Sequence, residues 1–246
     1  MKKLRQSLNR REALGVLGAA GLAFVGGCGS SPTSPSTTTT STGGTSGGGT
    51  NATSCVITPE ETAGPYPDRT GMLNNPAFFR RDITEGKPGL PLALAITVVN
   101  VRSSCAPLVD AVVEIWQCDA AGNYSEYSQP GFNGTGQTFL RGLQTADASG
   151  TVAFSTVYPG WYMGRATHIH VEIYMSGRSI KTTQIAFPES VSSAVYRTGV
   201  YASKGQNTTS NAGDMVFADG VQDELAAVSG DTTSGYTATI TIGVSV

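Results

Sequence analysis

Six short runs of apolar and β-branched residues recur along the chain, separated by clusters of Gly, Pro, Asn and Asp. The runs are residues 92–101, 111–118, 151–157, 166–174, 179–187 and 236–244. The last run alternates apolar residues with threonine, which is typical of a half-buried strand, whereas the first is almost continuously apolar, which predicts a strand buried on both faces. Only residues 188–197 and 220–228 could form helices. The pattern predicts an all-β fold, an antiparallel β-sandwich with long active-site loops and few short helices.

The first 27 residues have the pattern of an export signal. A basic stretch ends in Arg10 and Arg11, as in twin-arginine signals, and an apolar run of 15 residues follows at 13–27. That run is short for spanning a hydrocarbon core of roughly 30 Å but suits a signal peptide. The run ends in Val-Gly-Gly-Cys28, which is similar to a bacterial lipobox. We therefore expect lipidation at Cys28 and an exported, membrane-anchored lipoprotein facing the periplasm or the cell exterior.

Residues 28–53 are predicted to be a tether, because 21 of the 25 residues at 29–53 are Ser, Thr or Gly. The working domain is predicted to be residues 54–246. Without residues 1–27 the chain carries 11 basic against 17 acidic residues. No basic run is present to neutralise phosphates, so nucleic acid is not expected as a partner. Membrane contact is expected only through the lipid anchor.

The only two histidines, His168 and His170, lie two residues apart in a predicted strand. Positions i and i+2 of a strand share one face, so both imidazoles can reach the same metal ion. Two tyrosines follow turns next to strand ends: Tyr124 after Gly122, and Tyr162 after Pro159-Gly160. A phenolate is a hard anionic ligand suited to a hard trivalent cation. Taken singly, the histidines could instead hydrogen-bond to loops and the tyrosines could belong to the core.

Several ordered segments together resemble the intradiol ring-cleavage dioxygenases. They are DAVVEIWQCDAAGNYS at 110–125, LRGLQTADASG at 140–150, FSTVYPGWY at 154–162 and RATHIH at 165–170. TPEETAGPY at 58–66 and TQIAF at 183–187 extend the likeness to nearly all of residues 55–187. The resemblance implies a non-haem Fe(III) dioxygenase that cleaves catechol-type aromatic rings with O2 between the two hydroxyl-bearing carbons, giving muconate-type diacids.

The same resemblance implies residue roles. The Fe(III) ligands map to four residues: Tyr124, Tyr162, His168 and His170. Tyr162 is the ligand expected to leave and take a proton, Arg165 is expected to bind substrate and stabilise its negative charge, and Gln184 to act beside it. Tyr66 maps to a substrate-pocket position. The helical segment by which some cytoplasmic members dimerise is missing here. The connection from Tyr162 to His168 is short, which predicts a more open pocket than in those members.

Two other functions fit the composition. One is a surface-anchored β-sandwich that binds aromatic or sugar ligands without turnover, and the other is a structural or adhesive lipoprotein module. The pattern of two tyrosines, two histidines and Arg165 favours the enzyme.

Three cysteines lie outside the predicted anchor: Cys55, Cys105 and Cys118. Cys105 and Cys118 flank a predicted strand that holds its ends over roughly 20 Å apart, which excludes a bridge between them unless the chain folds back. Cys55 precedes the segment that the resemblance places over the pocket, near Cys118. We therefore predict a Cys55–Cys118 disulfide with Cys105 as a thiol, and Cys55–Cys105 as the second choice.

Overall fold

The structure is a computed structural model that describes residues 55–246. The predicted export signal, the tether and Cys28 lie outside the described residues. The strands are β1 (Pro91–Asn100), β2 (Ala106–Pro107), β3 (Val112–Trp116), β4 (Ser128–Gln129), β5 (Phe132–Asn133), β6 (Arg141–Thr145), β7 (Thr151–Val157), β8 (His168–Met175), β9 (Arg178–Ala186), β10 (Ala227–Asp231) and β11 (Gly235–Val244). One α-helix, α1 (Glu189–Val195), and five 3-10 helices complete the described elements. The 3-10 helices are Met72–Asn74, Pro76–Phe78, Val101–Ser103, Gly199–Tyr201 and Asn211–Gly213.

Two sheets form the predicted β-sandwich. One has the strand order β6-β3-β8-β9, with every neighbour antiparallel. The other has the order β10-β11-β1-β2, with β7 also paired to β1. The pair β1–β11 is parallel, with Leu92 opposite Tyr236 and Asn100 opposite Val244. The strands β4 and β5 form a separate hairpin in the long connection after β3.

The core lies between the sheets and explains the period-two pattern of the sequence. Leu92, Leu94, Ile96 and Val98 of β1 are buried, whereas Ala95 and Thr97 between them are only partly buried. The prediction that residues 92–101 are buried on both faces is therefore wrong. Small and β-branched residues occupy the outer face of this strand. The run is therefore almost continuously apolar in sequence, although only one of its faces packs against the core.

The second predicted helix is also wrong. Residues 220–228 form turns and the start of β10, and only α1 forms within residues 188–197. Ala226 donates its N–H to the carbonyl of Ala186 in β9, and Leu225 forms a parallel bridge with the same residue. This stretch therefore bonds to the sheet edge and not to itself. Within residues 55–246, no helix is both long and apolar enough to cross a membrane.

The predicted Cys55–Cys118 disulfide is wrong, and the second choice is the one formed. Cys55 bonds to Cys105 with 5.8 Å between their Cα atoms, and Cys118 is a buried thiol. The chain from Cys55 to Tyr66 runs beside the sheets, since Thr58 bonds to Gly243 and Glu61 to Thr182. Eleven residues of extended chain can span roughly 36 Å. Cys55 can therefore lie far from Cys118, although Tyr66, at the other end of this segment, lies close to the predicted site.

Candidate metal centre and active site

The strand β8 presents the two histidines on one face and the core on the other. Ile169, Val171 and Ile173 pack in the core between the two sheets. The side chains of His168 and His170 point to the opposite, outer face of the sheet that contains β8. Both imidazoles are buried, with 3% and 0% of their surface exposed. This face is where the loops after β3 and β7 end.

Four side-chain donor atoms converge on this face. The Nε2 atom of His168 lies 3.1 Å from Nε2 of His170. The hydroxyl oxygens of Tyr124 and Tyr162 each lie 3.4 Å from the same His168 nitrogen. Adjacent ligands on a metal with bonds of about 2 Å are separated by about 3 Å. The structure therefore brings the four predicted ligands together at spacings that a metal ion can bridge.

Hydrogen bonding and stacking orient the two imidazoles. Nδ1 of His168 lies 2.7 Å from the carbonyl oxygen of Ala166, to which it donates, so the lone pair on Nε2 faces the other three donors. The ring of His170 stacks on the indole of Trp116, with centroids 4.8 Å apart and planes 2° from parallel. Trp116 comes from β3, directly opposite His170 in the sheet. Both rings are thus fixed before a metal arrives.

The protonation states of the four ligands match a cation site. Burial, and then the positive charge of Arg165, lower the pKa of His168 to about 3. Burial, together with the neighbouring His168, holds the pKa of His170 well below its ordinary value. Burial raises the pKa of Tyr162 to about 12 and that of Tyr124 well above its ordinary value. The imidazoles are neutral and ready to coordinate, and the two phenols need a cation to become phenolates.

This donor set fits a hard, highly charged metal ion. Two phenolates and two imidazoles supply two negative charges and no thiolate, which suits Fe(III) better than structural zinc. Tyr124 is fully buried, whereas Tyr162 is partly exposed. Tyr162 is therefore the tyrosine that a substrate from solvent can reach.

Arg165 lies at the edge of the four donors and is held on three sides. Its Nε donates to both carboxylate oxygens of Asp214, at 2.8 and 3.0 Å. Its Nη2 donates to the side-chain oxygen of Gln184. Its Nη1 points to the hydroxyl of Tyr162 and to Nε2 of His168, each 3.4 Å away. The guanidinium is thereby fixed with one edge facing the place where a metal-bound substrate would lie.

Gln184 lies behind Arg165. It is on β9 directly opposite His170, and none of its surface is exposed. Its amide nitrogen donates to the carbonyl of Thr62 at 2.8 Å, and its amide oxygen accepts from Arg165. Both ends of the amide are occupied, so its position suits orienting Arg165 rather than touching a substrate.

The segment 58–66 covers the site from the other side. Tyr66 stacks on Tyr124 with ring centroids 4.6 Å apart and meets Tyr162 edge-on at 6.0 Å. Gly64 has φ +69°, and a Cβ added there would lie 2.9 Å from Cε1 of His170. Only glycine allows this backbone to pass so close to the imidazole. Tyr66 therefore packs directly against both tyrosine donors of the site.

Sequence reasoning missed two residues that shape this site. Asp214 is 2% exposed and, besides Arg165, accepts from the main-chain N–H of Ala166 at 2.7 Å. It lies in the region after residue 187, where the sequence carries no recognisable motif. Arg141 is completely buried and donates to the carbonyls of Tyr66 and Ser125. It falls inside the segment 140–150, whose local sequence gives no sign that the arginine is buried.

Comparison with known proteins gives a consistent result. The sequence model of the Dioxygenase family matches residues 63–208. No curated protein matches the sequence. An intradiol ring-cleavage dioxygenase from Tetranychus urticae is 27% identical, with a TM-score of 0.70 over 78% of this chain and 95% of that one. The dioxygenase domain of a dioxygenase–carbohydrate-binding protein fusion from Streptomyces sp. SirexAA-E is 26% identical, with a TM-score of 0.57 over 78% of this chain and 99% of that one.

Proposed function

The chain belongs to the intradiol ring-cleavage dioxygenase family, and from that premise we propose that it cleaves catechol-type rings with Fe(III) held by Tyr124, Tyr162, His168 and His170. Members of the family are oxidoreductases that incorporate both atoms of O2 into one product. Catechol and O2 together contain all the atoms of the muconate-type diacid, so no further reductant is needed.

The convergence of the four donor atoms around Nε2 of His168 carries this proposal. All three neighbouring donors lie within 3.4 Å of that nitrogen. Bound Fe(III) would supply Lewis acidity, which would stabilise the negative charge of a deprotonated catechol and make its ring reactive towards O2. The chain's own residues then have to bind, deprotonate and orient the substrate.

Tyr162 is proposed as the group that takes a substrate proton. Its hydroxyl is at the exposed side of the site, and its pKa as a free phenol is about 12, raised mainly by burial. A phenolate at this position is a strong enough base to accept a proton from a catechol hydroxyl on its Oη atom. Tyr124, buried and stacked under Tyr66, has no such access and is proposed to stay in place.

Arg165 is proposed as the residue that stabilises negative charge developing on the substrate ring and its oxygens. Its free edge, Nη1, faces the hydroxyl of Tyr162, where the substrate must arrive. Asp214 and Gln184 fix the other nitrogens, so the cation needs no rearrangement during reaction. A preorganised charge of this kind in a partly desolvated site stabilises a transition state more than a mobile one. Tyr66 would pack against the substrate ring.

Turnover of catechol under isotopically labelled O2 tests the proposal. The purified protein should convert catechol to a muconate-type diacid carrying two labelled oxygen atoms, which mass spectrometry detects. Arg165→Ala should slow this reaction while retaining the iron. Saturable catechol binding without any ring-opened product would instead support the binding-module alternative and refute the enzymatic proposal.

We also propose that the protein is exported and anchored through a lipid on Cys28. The sequence at 10–28 and the Cys55–Cys105 disulfide, which suits an oxidising compartment, support this. Labelled fatty acid should be incorporated into the wild-type protein in a bacterial host and not into Cys28→Ala. Equal labelling of both proteins, or no labelling of either, would contradict the anchor.

A further inference from the structure

Three carboxylates that belong to none of the predicted site positions come together beside the active site. They are Glu61 of the segment 58–66, and Asp219 and Glu224 of the connection between α1 and β10. One oxygen of each lies within 4.8 Å of an oxygen of the other two. Asp219 is exposed, Glu61 is half-buried and Glu224 is completely buried.

Glu224 has a buried carboxylate oxygen without a partner. Its Oε1 accepts a hydrogen bond from the hydroxyl of Thr183 at 3.0 Å. Its Oε2 is buried and has no hydrogen bond. The main-chain N–H of Gln184 lies near enough to favour the ionised carboxylate but forms no hydrogen bond to Oε2. Because burying an unsatisfied carboxylate oxygen is costly, this atom calls for a positively charged neighbour.

The described protein supplies no such neighbour. Within residues 55–246, none of the three carboxylates forms an ion pair with a lysine or arginine. Arg165, whose charge acts on Glu61, is already bound to Asp214. Burial raises the pKa of Glu224 to about 7, and burial and the charge of Asp219 raise the pKa of Glu61. The carboxylates therefore repel one another when they are ionised, and a bound cation would relieve that repulsion.

We propose that Glu61, Asp219 and Glu224 bind one calcium ion, at a site separate from the four-residue iron site. All three ligands are carboxylates, the hard oxygen donors that Ca²⁺ prefers, and no imidazole or thiolate takes part. Oxygens bound to the same Ca²⁺ at about 2.4 Å lie no more than about 4.8 Å apart, and the three carboxylate oxygens fall within that limit. The exposed side of Asp219 leaves room for water to complete the coordination.

Calcium at this site would join two pieces of chain beside the active site, both of which also contact β9 next to Gln184. Glu61 precedes Thr62, whose carbonyl accepts from Gln184, and Glu224 bonds to Thr183 next to Gln184. Asp219 and Glu224 end the stretch that begins at Asp214, the partner of Arg165. The ion would therefore tie the segment that covers the pocket to the segment that orients Arg165.

Calorimetric titration of the full-length protein tests the site. After passage over a chelating resin, with metal analysis before and after showing that the iron content is unchanged, CaCl2 should bind with a stoichiometry of one per chain. At a Ca²⁺ concentration about 100 times the Kd, the unfolding midpoint should rise by on the order of 5–10 °C. Hydrogen exchange should slow at the amides of residues 58–66 and 214–224. An equal response to MgCl2 would refute the choice of calcium.

Matched variants distinguish the loss of a calcium ligand from the general effect of removing one negative charge. Glu224→Gln keeps the shape and the acceptor for Thr183, and Asp219→Asn changes an exposed side chain. Each should weaken Ca²⁺ binding at least tenfold. Asp223→Asn removes the same charge next to Glu224 but outside the cluster and should bind as the wild type does. No saturable Ca²⁺ binding by the wild type, as expected if Glu224 simply carries a proton, would overturn the proposal, as would undiminished binding by both cluster variants. Either result leaves the iron content and ring cleavage to be judged independently.

Discussion

Replacing Asp214 with Asn tests whether Arg165 works only when it is held in place. Asp214 is 2% exposed and receives two hydrogen bonds from Nε of Arg165, together with those from the N–H groups of Ala166 and Val216. The amide keeps the shape but only one oxygen, so it can accept from one of the two main-chain donors, because Ala166 bonds to Oδ2 and Val216 to Oδ1. It turns the second oxygen into a donor facing the guanidinium and removes the negative charge. Arg165, only 11% exposed at its side chain, then lies beside a neutral group.

The cost follows from the hydrogen bonds and the charge that this substitution removes. Hydrogen bonds to charged groups contribute about 1.5–3 kcal/mol each, and breaking a buried ion pair costs about 3–5 kcal/mol. Because Arg165 keeps a little solvent exposure and Asn keeps one of the two main-chain bonds, we expect Asp214→Asn to lower the free energy of unfolding by about 2–4 kcal/mol. This corresponds to a fall in Tm of about 4–16 °C for a domain of this size. We expect kcat to fall on the order of 10²-fold, similar to the loss of one preorganised charge donor.

The assay is a double-mutant cycle with Arg165→Ala, measuring kcat, iron content and visible absorption. If Asp214 acts through Arg165, then adding Asp214→Asn to Arg165→Ala should change kcat by no more than about twofold, although it lowers kcat of the wild type strongly. Iron content should be unchanged in all four proteins. Wild-type kcat in Asp214→Asn, or a full additional loss of kcat in the double variant, would refute the positioning role.

Three other predictions concern Tyr162, the cysteines and Glu114. Tyr162→Phe should retain at least part of the iron but lose most turnover, because the Oη atom that takes the substrate proton is gone; unchanged kcat would contradict that role. Replacing Cys55 and Cys105 with Ser should destabilise the protein by about 4 kcal/mol from the loop of 50 residues they close, measured by denaturant unfolding, whereas Cys118→Ala should leave the disulfide intact. Burial raises the pKa of Glu114 to about 7 in the folded protein, above its ordinary 4.5, so its contribution to stability is complete below about pH 4.5 and is lost as pH rises through 7. Glu114→Gln, which keeps an acceptor for Tyr174, should therefore stabilise the protein at pH 8 by roughly 2–3 kcal/mol and by little at pH 4.5; an equal effect at both pH values would show that Glu114 is not protonated on folding.

The sequence predicts well what depends on local periodicity. The alternation around His168 and His170 predicts that both imidazoles lie on the face opposite to Ile169 and Val171, and the structure has this arrangement. All six predicted strands form, with ends shifted by at most two residues.

Features that depend on distant contacts were not predictable in this way. The strand β6 has a single large apolar residue, Leu143, and its Arg141 is buried only because carbonyls of Tyr66 and Ser125 accept its hydrogen bonds. The parallel pairing of β1 with β11 joins residues 144 positions apart in sequence, such as Leu92 and Tyr236, for which no local pattern exists. Asp214 matters because the fold brings it to Arg165, 49 residues away in sequence. The disulfide was misassigned for the same reason, since the direction of the segment 55–66 is set by its hydrogen bonds to β9 and β11.

Metal content and visible absorption of the purified protein test the proposed iron site most directly. We predict about one iron per chain, with a broad visible band from tyrosinate-to-Fe(III) charge transfer. In His170→Ala both the iron and the band should be lost, because three ligands hold the ion poorly. Full iron content and an unchanged band in His170→Ala, or a wild-type protein that binds no iron when supplied with it, would contradict the assignment.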